Sequence, residues 1–436
     1  MEICWLCQPK SCTKTCGQVL KERNDKMFYE RNRSLLVAYF QSGCKRNNEQ
    51  KIGVEIEHFI VKKETKESVS YYGAGGVGEI LKKLKSKFPH ISCEQGHMIG
   101  LWNEQYAITL EPASQFEISI FPQNCLEDVE KIYTAFLEMM KPILDAYGYE
   151  MWTGGYQPYN KVDELPLIPK KRYQYMDEYF KTSGTTGRNM MRGTASTQVS
   201  IDYFDEKDFV RKMRAAYILM PAIKLLTDNT QVFEGRMYEK HMARTMIWHH
   251  VDDQRCGIVP GLFDEDFGFE KYADYLMQLP LIFLPNKGEP LYVKRQHAKE
   301  IWKEKELNKE DIEHILSMTF VDVRLKKYLE IRGADSMPFA YVKAYTVMIN
   351  SILFNERAVD EILSWNVHEQ EIRKAEEEEL IEKGFSGTVY GQPVDIHLRR
   401  IMQMAKENLS DKERNWLQPL EQIIDEKRTL AKRYEK

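Results

Sequence analysis

Apolar and polar residues alternate in several short segments of the first half of the chain. In residues 51–61, KIGVEIEHFIV, one side of the alternation carries isoleucine and valine, and the other carries Glu55 and Glu57. Successive side chains of a strand point to opposite faces, so this pattern predicts a strand with one buried face. Two glutamates therefore emerge side by side from a strand that otherwise belongs to the core.

The same pattern analysis predicts an ordered series of elements along the chain. Turns as short as QGH and NEQ separate the strands of residues 90–121, which is typical of hairpins. Asn124 is the predicted N-cap of a long amphipathic helix. The predicted elements are helix 18–40, strand 51–61, strand 67–72, helix 77–88, strands 90–94, 98–102 and 106–121, helix 126–147, a strand near residue 200, helix 209–226, a strand within 320–335, and charged helices from residue 365. The charged run KAEEEEL in these last helices is expected to be a solvated face. Early strands followed by helices indicate an α+β fold with an antiparallel sheet.

A glycine-rich segment, YYGAGGVGEILKKL, matches a dinucleotide-binding pattern. Gly73, Gly75 and Gly78 form G-x-G-x-x-G before a predicted helix, and Glu94 follows 16 residues after the last glycine. A dinucleotide-binding loop needs parallel strands joined by long crossovers, and the hairpins that follow contradict this arrangement. We therefore expect these glycines to let the chain turn into the helix, and we do not expect a dehydrogenase.

Composition narrows the class of protein. The chain has 436 residues, of which 43% are hydrophobic and 29% charged, and its net charge of −4 gives no basic stripe for nucleic acid. Its longest apolar runs fall short of the ~20 residues of a membrane helix. The N-terminal residues do not read as a signal peptide. We therefore expect a cytoplasmic protein that binds neither membrane nor nucleic acid.

Cysteines divide into two groups. Cys4, Cys7, Cys12 and Cys16 crowd the first residues, and the other four cysteines are scattered, which suits a reducing compartment. The cluster is either a zinc or iron–sulfur site or a thiol-rich arm outside the fold. We predict an arm over residues 1–20, a catalytic domain over 21–364, and a charged helical region over 365–436.

Acidic and amide side chains recur on other predicted strands. In AITLEPASQFEISIF, Glu111 and Glu117 are six residues apart, so both project alike if the strand continues through the intervening proline. In TASTQVSIDYF, Gln198 lies on the polar face. In YLEIRGAD, Glu330 and Arg332 share a face.

Like charges held close together are costly unless a cation lies between them. Magnesium and manganese prefer carboxylate and amide oxygens and complete their shells with phosphate oxygens. Acidic strands beside an arginine therefore indicate phosphoryl transfer. The alternative is that each polar face simply meets water.

Six segments also resemble, in the same order, the motifs of a known family. They are GVEIEHF, ITLEPASQFEIS, MMRGTASTQVSIDY, ARTMIWHHVDDQRCG, FGFEKYADYLMQLP and VRLKKYLEIRGAD. Over about residues 51–335 the chain resembles the plant-type glutamate–cysteine ligases, which bacteria also contain. The resemblance implies a glutamine-synthetase-like fold, in which a curved, mainly antiparallel sheet forms a funnel with helices packed outside.

The resemblance also implies a reaction. The ligands would be ATP, Mg²⁺ (or Mn²⁺), L-glutamate and L-cysteine, and a γ-glutamyl phosphate intermediate would give γ-glutamylcysteine, the first step of glutathione biosynthesis. A related ligase that uses a different amine, or a non-catalytic relative, would share many of the same motifs. We expect small-molecule substrates and either a monomer or a homodimer.

Residue roles follow from the resemblance alone. Arg332 would stabilise the transferred phosphoryl group, Arg244 would bind a substrate carboxylate, and Arg255 would contact the nucleotide. Trp248 is a weaker candidate, since aromatic residues usually belong to the core. The alternatives are an ion pair with Glu330 for Arg332 and a surface position on a helix for Arg244. The implied metal shell is Glu55, Glu57, Glu111, Glu117, Gln198 and Glu330. Gly193 departs from the family pattern, since plant members usually have arginine there, and the four-cysteine cluster has no counterpart.

Overall fold

The computed structural model describes residues 16–46, 50–285, 290–293 and 295–433, with side chains from residue 25 onwards. Cys4, Cys7 and Cys12 lie outside these ranges, and for Cys16 the model describes only the backbone, so the predicted cysteine cluster falls outside the described residues.

Strands are concentrated before residue 202, and most later ones are very short. Their bounds are β1 Ile52–Lys62, β2 His90–Glu94, β3 His97–Trp102, β4 Tyr106–Leu110, β5 Phe116–Gln123, β6 Tyr149–Trp152, β7 Ser196–Ile201, β8 Val232–Phe233, β9 Arg236–Met237, β10 Cys256–Gly257, β11 Phe283–Leu284, β12 Leu291–Tyr292, β13 Phe320–Val321, β14 Val323–Leu325, β15 Leu329–Asp335, β16 Thr388–Val389 and β17 Gln392–Pro393.

Helices flank these strands and dominate the second half. Their bounds are α1 Cys16–Gln41, α2 Val77–Leu84, α3 Leu126–Tyr147, α4 Lys171–Phe180, α5 Gly187–Gly193, α6 Glu206–Leu226, α7 Ala243–His249, α8 Phe269–Gln278, α9 Ala298–Ile301, α10 Lys309–Ser317, α11 Phe339–Leu353, α12 Glu356–Ser364, α13 Glu369–Lys374, α14 Ile381–Lys383, α15 Val394–Lys406, α16 Asp411–Trp416 and α17 Gln418–Glu426. A π-helix, Ala375–Leu380, joins α13 to α14.

One large sheet organises the molecule. Its strands run in the order β14-β15-β7-β1-β5-β4-β3-β2, and β6 pairs with β1. Every pairing in this sheet is antiparallel. The prediction of an α+β fold with a mainly antiparallel sheet is confirmed, because hairpins connect β2 through β5 as the short turns indicated.

The predicted strand 106–121 is in fact a hairpin. It breaks after Leu110 and resumes at Phe116, and Ser114 has a left-handed backbone with φ of 75°. The turn is closed by two backbone bonds between Glu111 and the residues Ser114 and Gln115. Glu111 and Glu117 therefore approach each other across a turn, and not along one strand.

Two other local predictions are wrong. Residues 67–72 form an isolated bridge between Ser68 and Val61 instead of a strand. The N-cap of α3 is Cys125, one residue after the predicted Asn124. The glycine segment does turn into α2, and Gly73 and Gly75 have φ of 83° and 75°, values that favour glycine.

The charged C-terminal region packs on the rest of the fold through α15 and α17, which contact α11 and α6. Its acidic run, KAEEEEL, was predicted to be a solvated face, but Glu376 is only 3% exposed. Glu376 accepts bonds from Lys224 at 2.9 and 3.0 Å and lies 2.8 Å from Nε2 of His249. Lys224 also pairs with Asp322 at 2.8 Å, so a buried ion network links this region to α6 and α7.

Among the helices of the described ranges, none combines the length and apolarity needed to cross a membrane.

Candidate active site

A cavity of about 680 Å³ opens on the polar face of the large sheet. Its lining brings together the predicted residues Glu55, Glu57, Glu111, Glu117, Gln198 and Arg332. The remaining predicted residues Glu330, Arg244 and Arg255 are not among the residues that line this cavity.

Strand register explains why the acidic side chains meet. β1 is central, and it pairs with β5 on one side and with β7 on the other. Glu57 lies opposite Glu117, and Glu55 lies opposite Gln198. Residues directly opposite each other in an antiparallel pair project to the same face, so three strands present four oxygen-bearing side chains to one cavity.

Nearby cations offset the charge of these carboxylates only in part, since Lys326 and Arg332 at Glu55 and Arg244 at Glu57 lower the pKa less than burial and neighbouring carboxylates raise it. Burial and the neighbouring charges of Glu117 and Glu330 raise the pKa of Glu55 to about 7. Burial, with the charges of Glu111 and Glu117, raises the pKa of Glu57 to about 8. Burial and Glu111 also raise the pKa of Glu117. The cluster therefore binds protons near neutral pH unless a cation enters.

Neutral donors satisfy the carboxylates. Glu57 accepts hydrogen bonds from the backbone N–H and the hydroxyl of Ser196 at 2.7 and 3.0 Å. Glu117 accepts from Thr109 at 2.8 Å and from Ser119 at 2.6 Å. Such bonds orient the side chains without neutralising them.

Glu330 is placed differently from the other predicted metal ligands. It is fully buried, and Arg324, Lys326 and Arg332 contact it at 2.6, 2.8 and 3.0 Å. Burial alone would raise its pKa, but the three cations outweigh burial and hold the pKa well below the ordinary value. Glu330 thus anchors three cations that themselves line the cavity, and it does not join the uncompensated carboxylates.

Arg332 lines the cavity between these two sets. Its Nη1 donates to Gln198 at 2.6 Å and to Glu330 at 3.0 Å. Because two partners on neighbouring strands hold the guanidinium, its orientation is fixed. The predicted ion pair with Glu330 exists, and it leaves Arg332 in the cavity lining.

Arg244 lies on helix α7 and contacts the backbone of β15. Its guanidinium donates to the carbonyl oxygens of Gly333 and Arg332 at 3.2 and 3.1 Å, and it lies 5.7 Å from the ring of Trp248. Arg244 is 6% exposed, which excludes the surface position considered from sequence. Its role toward a substrate carboxylate stays a prediction.

Arg255 has a structural environment. It is fully buried, pairs with Asp252 at 2.8 Å, and donates to the hydroxyl of Tyr179 and to the carbonyl of Pro280 at 2.9 and 2.7 Å. These contacts occupy the guanidinium away from the cavity. Arg255 is not among the residues that line the cavity, and its expected nucleotide contact stays a prediction.

Gly193 is the residue that departs from the family pattern, and an aromatic ring occupies the space beside it. A Cβ at this position would lie 2.3 Å from the ring of Tyr156. Tyr156 is buried and accepts a hydrogen bond from Asn189 at 2.9 Å. A larger side chain at 193 thus requires Tyr156 to move.

Several lining residues escaped the sequence analysis. Lys170 and Arg172 precede or begin helix α4, and Lys326 and Tyr328 lie at the turn between β14 and β15. The segment VRLKKYLE contains the missed signal, because Arg324 and Glu330 are paired across that hairpin.

The donor chemistry fits a hard divalent cation, since carboxylate and amide oxygens are the ligands that Mg²⁺ prefers. The raised pKa values of Glu55 and Glu57 are the mark of negative charge that the protein leaves uncompensated. The carboxylates do not converge on one point, and in the described ranges no three His, Cys, Asp or Glu residues are grouped to hold a metal. The assignment of individual ligands therefore remains a prediction.

Comparison with known proteins gives concordant similarities. The profile of glutamate-cysteine ligase family 2 (GCS2) matches residues 51–434. The chloroplastic glutamate–cysteine ligase of Nicotiana tabacum is 32% identical over 351 residues, and that of Arabidopsis thaliana is 32% identical over 349 residues. Each match covers 77% of this chain, which spans 66% of the length of either relative.

A solved structure shares the fold. The crystal structure of glutamate–cysteine ligase from Francisella tularensis in complex with AMP matches with a TM-score of 0.55 and 9% identity. The match covers 89% of this chain and 84% of that chain. At this identity the likeness concerns the fold, and it confirms the predicted fold class.

The expected cytoplasmic location is wrong. The relatives from Nicotiana tabacum, Arabidopsis thaliana and Oryza sativa are named as chloroplastic enzymes, which contradicts the cytoplasmic assignment. The prediction was based on the N-terminal residues, in which no signal-peptide pattern is recognised. The names of the relatives overturn it.

Proposed function

The chain belongs to glutamate–cysteine ligase family 2, and on that premise we propose that it joins the γ-carboxylate of L-glutamate to the amine of L-cysteine in an ATP-dependent reaction. The products are γ-glutamylcysteine, ADP and phosphate. One observation carries the proposal: Glu55, Glu57, Glu111 and Glu117 line a single cavity together with Arg332.

A carboxylate must be activated before an amine can attack it. In the proposed reaction an oxygen of the γ-carboxylate attacks the γ-phosphorus of ATP, the bond to the bridging oxygen breaks, and ADP leaves. The cysteine amine then attacks the acyl carbon of γ-glutamyl phosphate, and it loses a proton as inorganic phosphate departs. Most of the protein's work in such transfers is positioning and charge stabilisation.

The acidic side of the cavity is proposed to hold the cations that accompany ATP. Glu55, Glu57 and Glu117 would supply carboxylate oxygens, and Gln198 would supply an amide oxygen. A bound divalent cation would neutralise negative charge on the phosphates. The bonds from Ser196 to Glu57 and from Thr109 to Glu117 keep those carboxylates on the cavity side.

Arg332 is proposed as the group that faces the transferred phosphoryl. Its guanidinium is held by Gln198 and Glu330, so it enters the reaction already oriented. A preorganised cation lowers the barrier because it need not reorient as charge develops.

Phosphate release from ATP tests the proposal. The purified chain is incubated with ATP, Mg²⁺ and L-glutamate, with and without L-cysteine, and then with a panel of other amines. Cysteine-dependent release, with γ-glutamylcysteine identified by mass spectrometry, is the expected result. Release with only another amine would redirect the proposal to a related ligase, and no release with any amine would favour a non-catalytic relative.

A further inference from the structure

Helix α1 contributes to the cavity although it precedes the residues matched by the family profile. The match begins at residue 51, whereas α1 ends at Gln41. Tyr39, in the last turn of α1, is half-buried and lines the cavity with Lys327 and Tyr328. Part of the cavity wall therefore comes from a segment to which the family match assigns nothing.

The end of α1 is fixed against the turn between β14 and β15. The hydroxyl of Tyr203 lies within hydrogen-bond distance of the carbonyl oxygens of Phe40 (2.7 Å) and Lys326 (3.0 Å). A Cβ at Gly43 would lie 2.5 Å from Cα of Lys327, so the two chain segments approach as closely as glycine allows. Tyr39 is thus held beside the turn by the fold itself.

Each of the two tyrosines has an ammonium group near its ring. Nζ of Lys327 lies 5.0 Å from the centroid of Tyr39, and Nζ of Lys326 lies 5.5 Å from the centroid of Tyr328. Aromatic faces next to cations are the surfaces on which proteins stack nucleic-acid bases while neutralising phosphates. The two tyrosines with their lysines therefore offer rings for a base and ammonium groups for phosphates.

Tyr173 is the other tyrosine of the cavity, and it is less suited to stacking. It is 4% exposed, and its hydroxyl donates to the carbonyl of Leu110 at 3.2 Å. The half-buried rings of Tyr39 and Tyr328 are accordingly the better surface for a base.

We propose that Tyr39 and Tyr328 form the stacking surface for the base of ATP, with Lys327 beside its phosphates. The nucleotide then extends from the β14–β15 edge of the sheet toward the carboxylates on β1 and β5. This inference depends on the proposed use of ATP. It makes α1 a nucleotide-binding element of this chain.

Binding of ADP to the full chain tests this directly, in the presence of Mg²⁺ and without glutamate or cysteine. Isothermal titration calorimetry should show Tyr39→Ala weakening ADP binding by roughly 5- to 150-fold, the range that loss of base stacking produces. Tyr39→Phe retains the ring and should bind ADP like the wild type. Inorganic tripolyphosphate, which has no base, should bind equally well to all three proteins.

Tyr29→Ala is the matched control. Tyr29 lies on the same helix, and its hydroxyl donates to Asp274 at 2.7 Å, away from the cavity. This variant should bind ADP like the wild type. Equal ADP affinity in Tyr39→Ala and Tyr29→Ala would overturn the inference, as would an equal loss of ADP and tripolyphosphate in Tyr39→Ala. If the wild-type chain releases phosphate with cysteine, the proposed function stands even when the inference about Tyr39 fails. If the wild-type chain binds no ADP, both the proposed function and the inference fail.

Discussion

Two sets of buried carboxylates lie in this protein, and their charges are treated in opposite ways. Glu55 and Glu57 face the cavity, and burial with neighbouring carboxylates raises their pKa values to about 7 and about 8. Glu330 and Glu376 are more deeply buried, at 0% and 3% exposed, but lysine, arginine or histidine surrounds each of them. In the first set the protein's own cations do not outweigh the negative charge, which the proposed divalent cation would meet, and in the second set they do.

Burial alone therefore does not identify a functional carboxylate. In both sets burial is the largest influence, and it favours the protonated acid. Lys224 and His249 reverse that influence at Glu376, and its pKa falls to about 2. The candidate site is distinguished by carboxylates whose negative charge the protein's own cations do not outweigh. Substitutions in each of the two sets can test this difference.

The largest effect is expected from Glu57→Gln. The amide keeps the shape and can still accept the bond from the Ser196 N–H, but it removes the negative charge. We expect turnover to fall by roughly 100- to 1,000-fold, the range for loss of one preorganised electrostatic contact. Phosphate release under saturating ATP, glutamate and cysteine measures it.

Folding should be untouched or slightly improved in the same variant, because a repelling charge has been removed. Circular dichroism melting provides this control. Near-normal turnover in a folded Glu57→Gln protein would contradict a role for this carboxylate in the reaction.

Glu330→Gln should instead destabilise the fold. The substitution leaves Arg324, Lys326 and Arg332 without their shared anion. Removing one partner of a buried ion pair typically costs about 3–5 kcal/mol. Urea unfolding of Glu330→Gln beside Glu57→Gln makes the comparison, and equal stabilities in the two variants would show that the two sets do not differ as described.

Acid should weaken the ion-paired set at Glu376. Its pKa is about 2 in the folded chain against an ordinary 4.5, so the folded state holds the ionised form and the contribution is complete above about pH 4.5. As pH falls from about 4.5 toward 2 the unfolded chain takes up the proton first, and stability on the order of 3 kcal/mol is lost. Glu376→Gln should remove this part of the pH dependence.

Unfolding free energies of the wild type and Glu376→Gln at several pH values measure the effect. The difference between the two proteins should be greatest near neutral pH and shrink as acid is added. A difference that stays constant with pH would mean that Glu376 contributes by packing and not by charge.

Sequence patterns predicted the first set, Glu55 and Glu57, better than the second set, Glu330 and Glu376. Alternation on β1 placed Glu55 and Glu57 on one face, because a period of two is a local property that neighbouring residues decide. The counter-ions of Glu376 are distant in sequence, since Lys224 is 152 residues away. No local pattern reveals such a partner, and so the acidic run around Glu376 looked like a solvated face.

The hairpin at Glu111 shows a second reason why prediction from the pattern of neighbouring residues fails. The even spacing of Glu111 and Glu117 predicted one strand, and the chain turns between them instead. Both readings bring the two carboxylates to the same cavity, so the conclusion survived the wrong geometry. Tyr39, by contrast, was read only as part of an amphipathic helix, because its place in the cavity depends on how α1 packs against β14 and β15.

The smallest expected effect is stabilisation by Mg²⁺, and its pH dependence has a definite sign. In the metal-free chain the raised pKa values of Glu55 and Glu57 mean that the folded state binds more protons than the unfolded state between about pH 4.5 and 8. Their contribution to stability is therefore present in acid and is lost as pH rises.

Mg²⁺ needs ionised ligands, so it should offset this loss chiefly above pH 7. At ten times its Kd the ion should add about 1.4 kcal/mol, measured as a shift in Tm that is larger near pH 8 than near pH 6. Glu376→Gln should keep that shift and Glu57→Gln should lose it, because only Glu57 belongs to the uncompensated set. A shift of equal size at both pH values would mean that Mg²⁺ binds without displacing protons from these carboxylates.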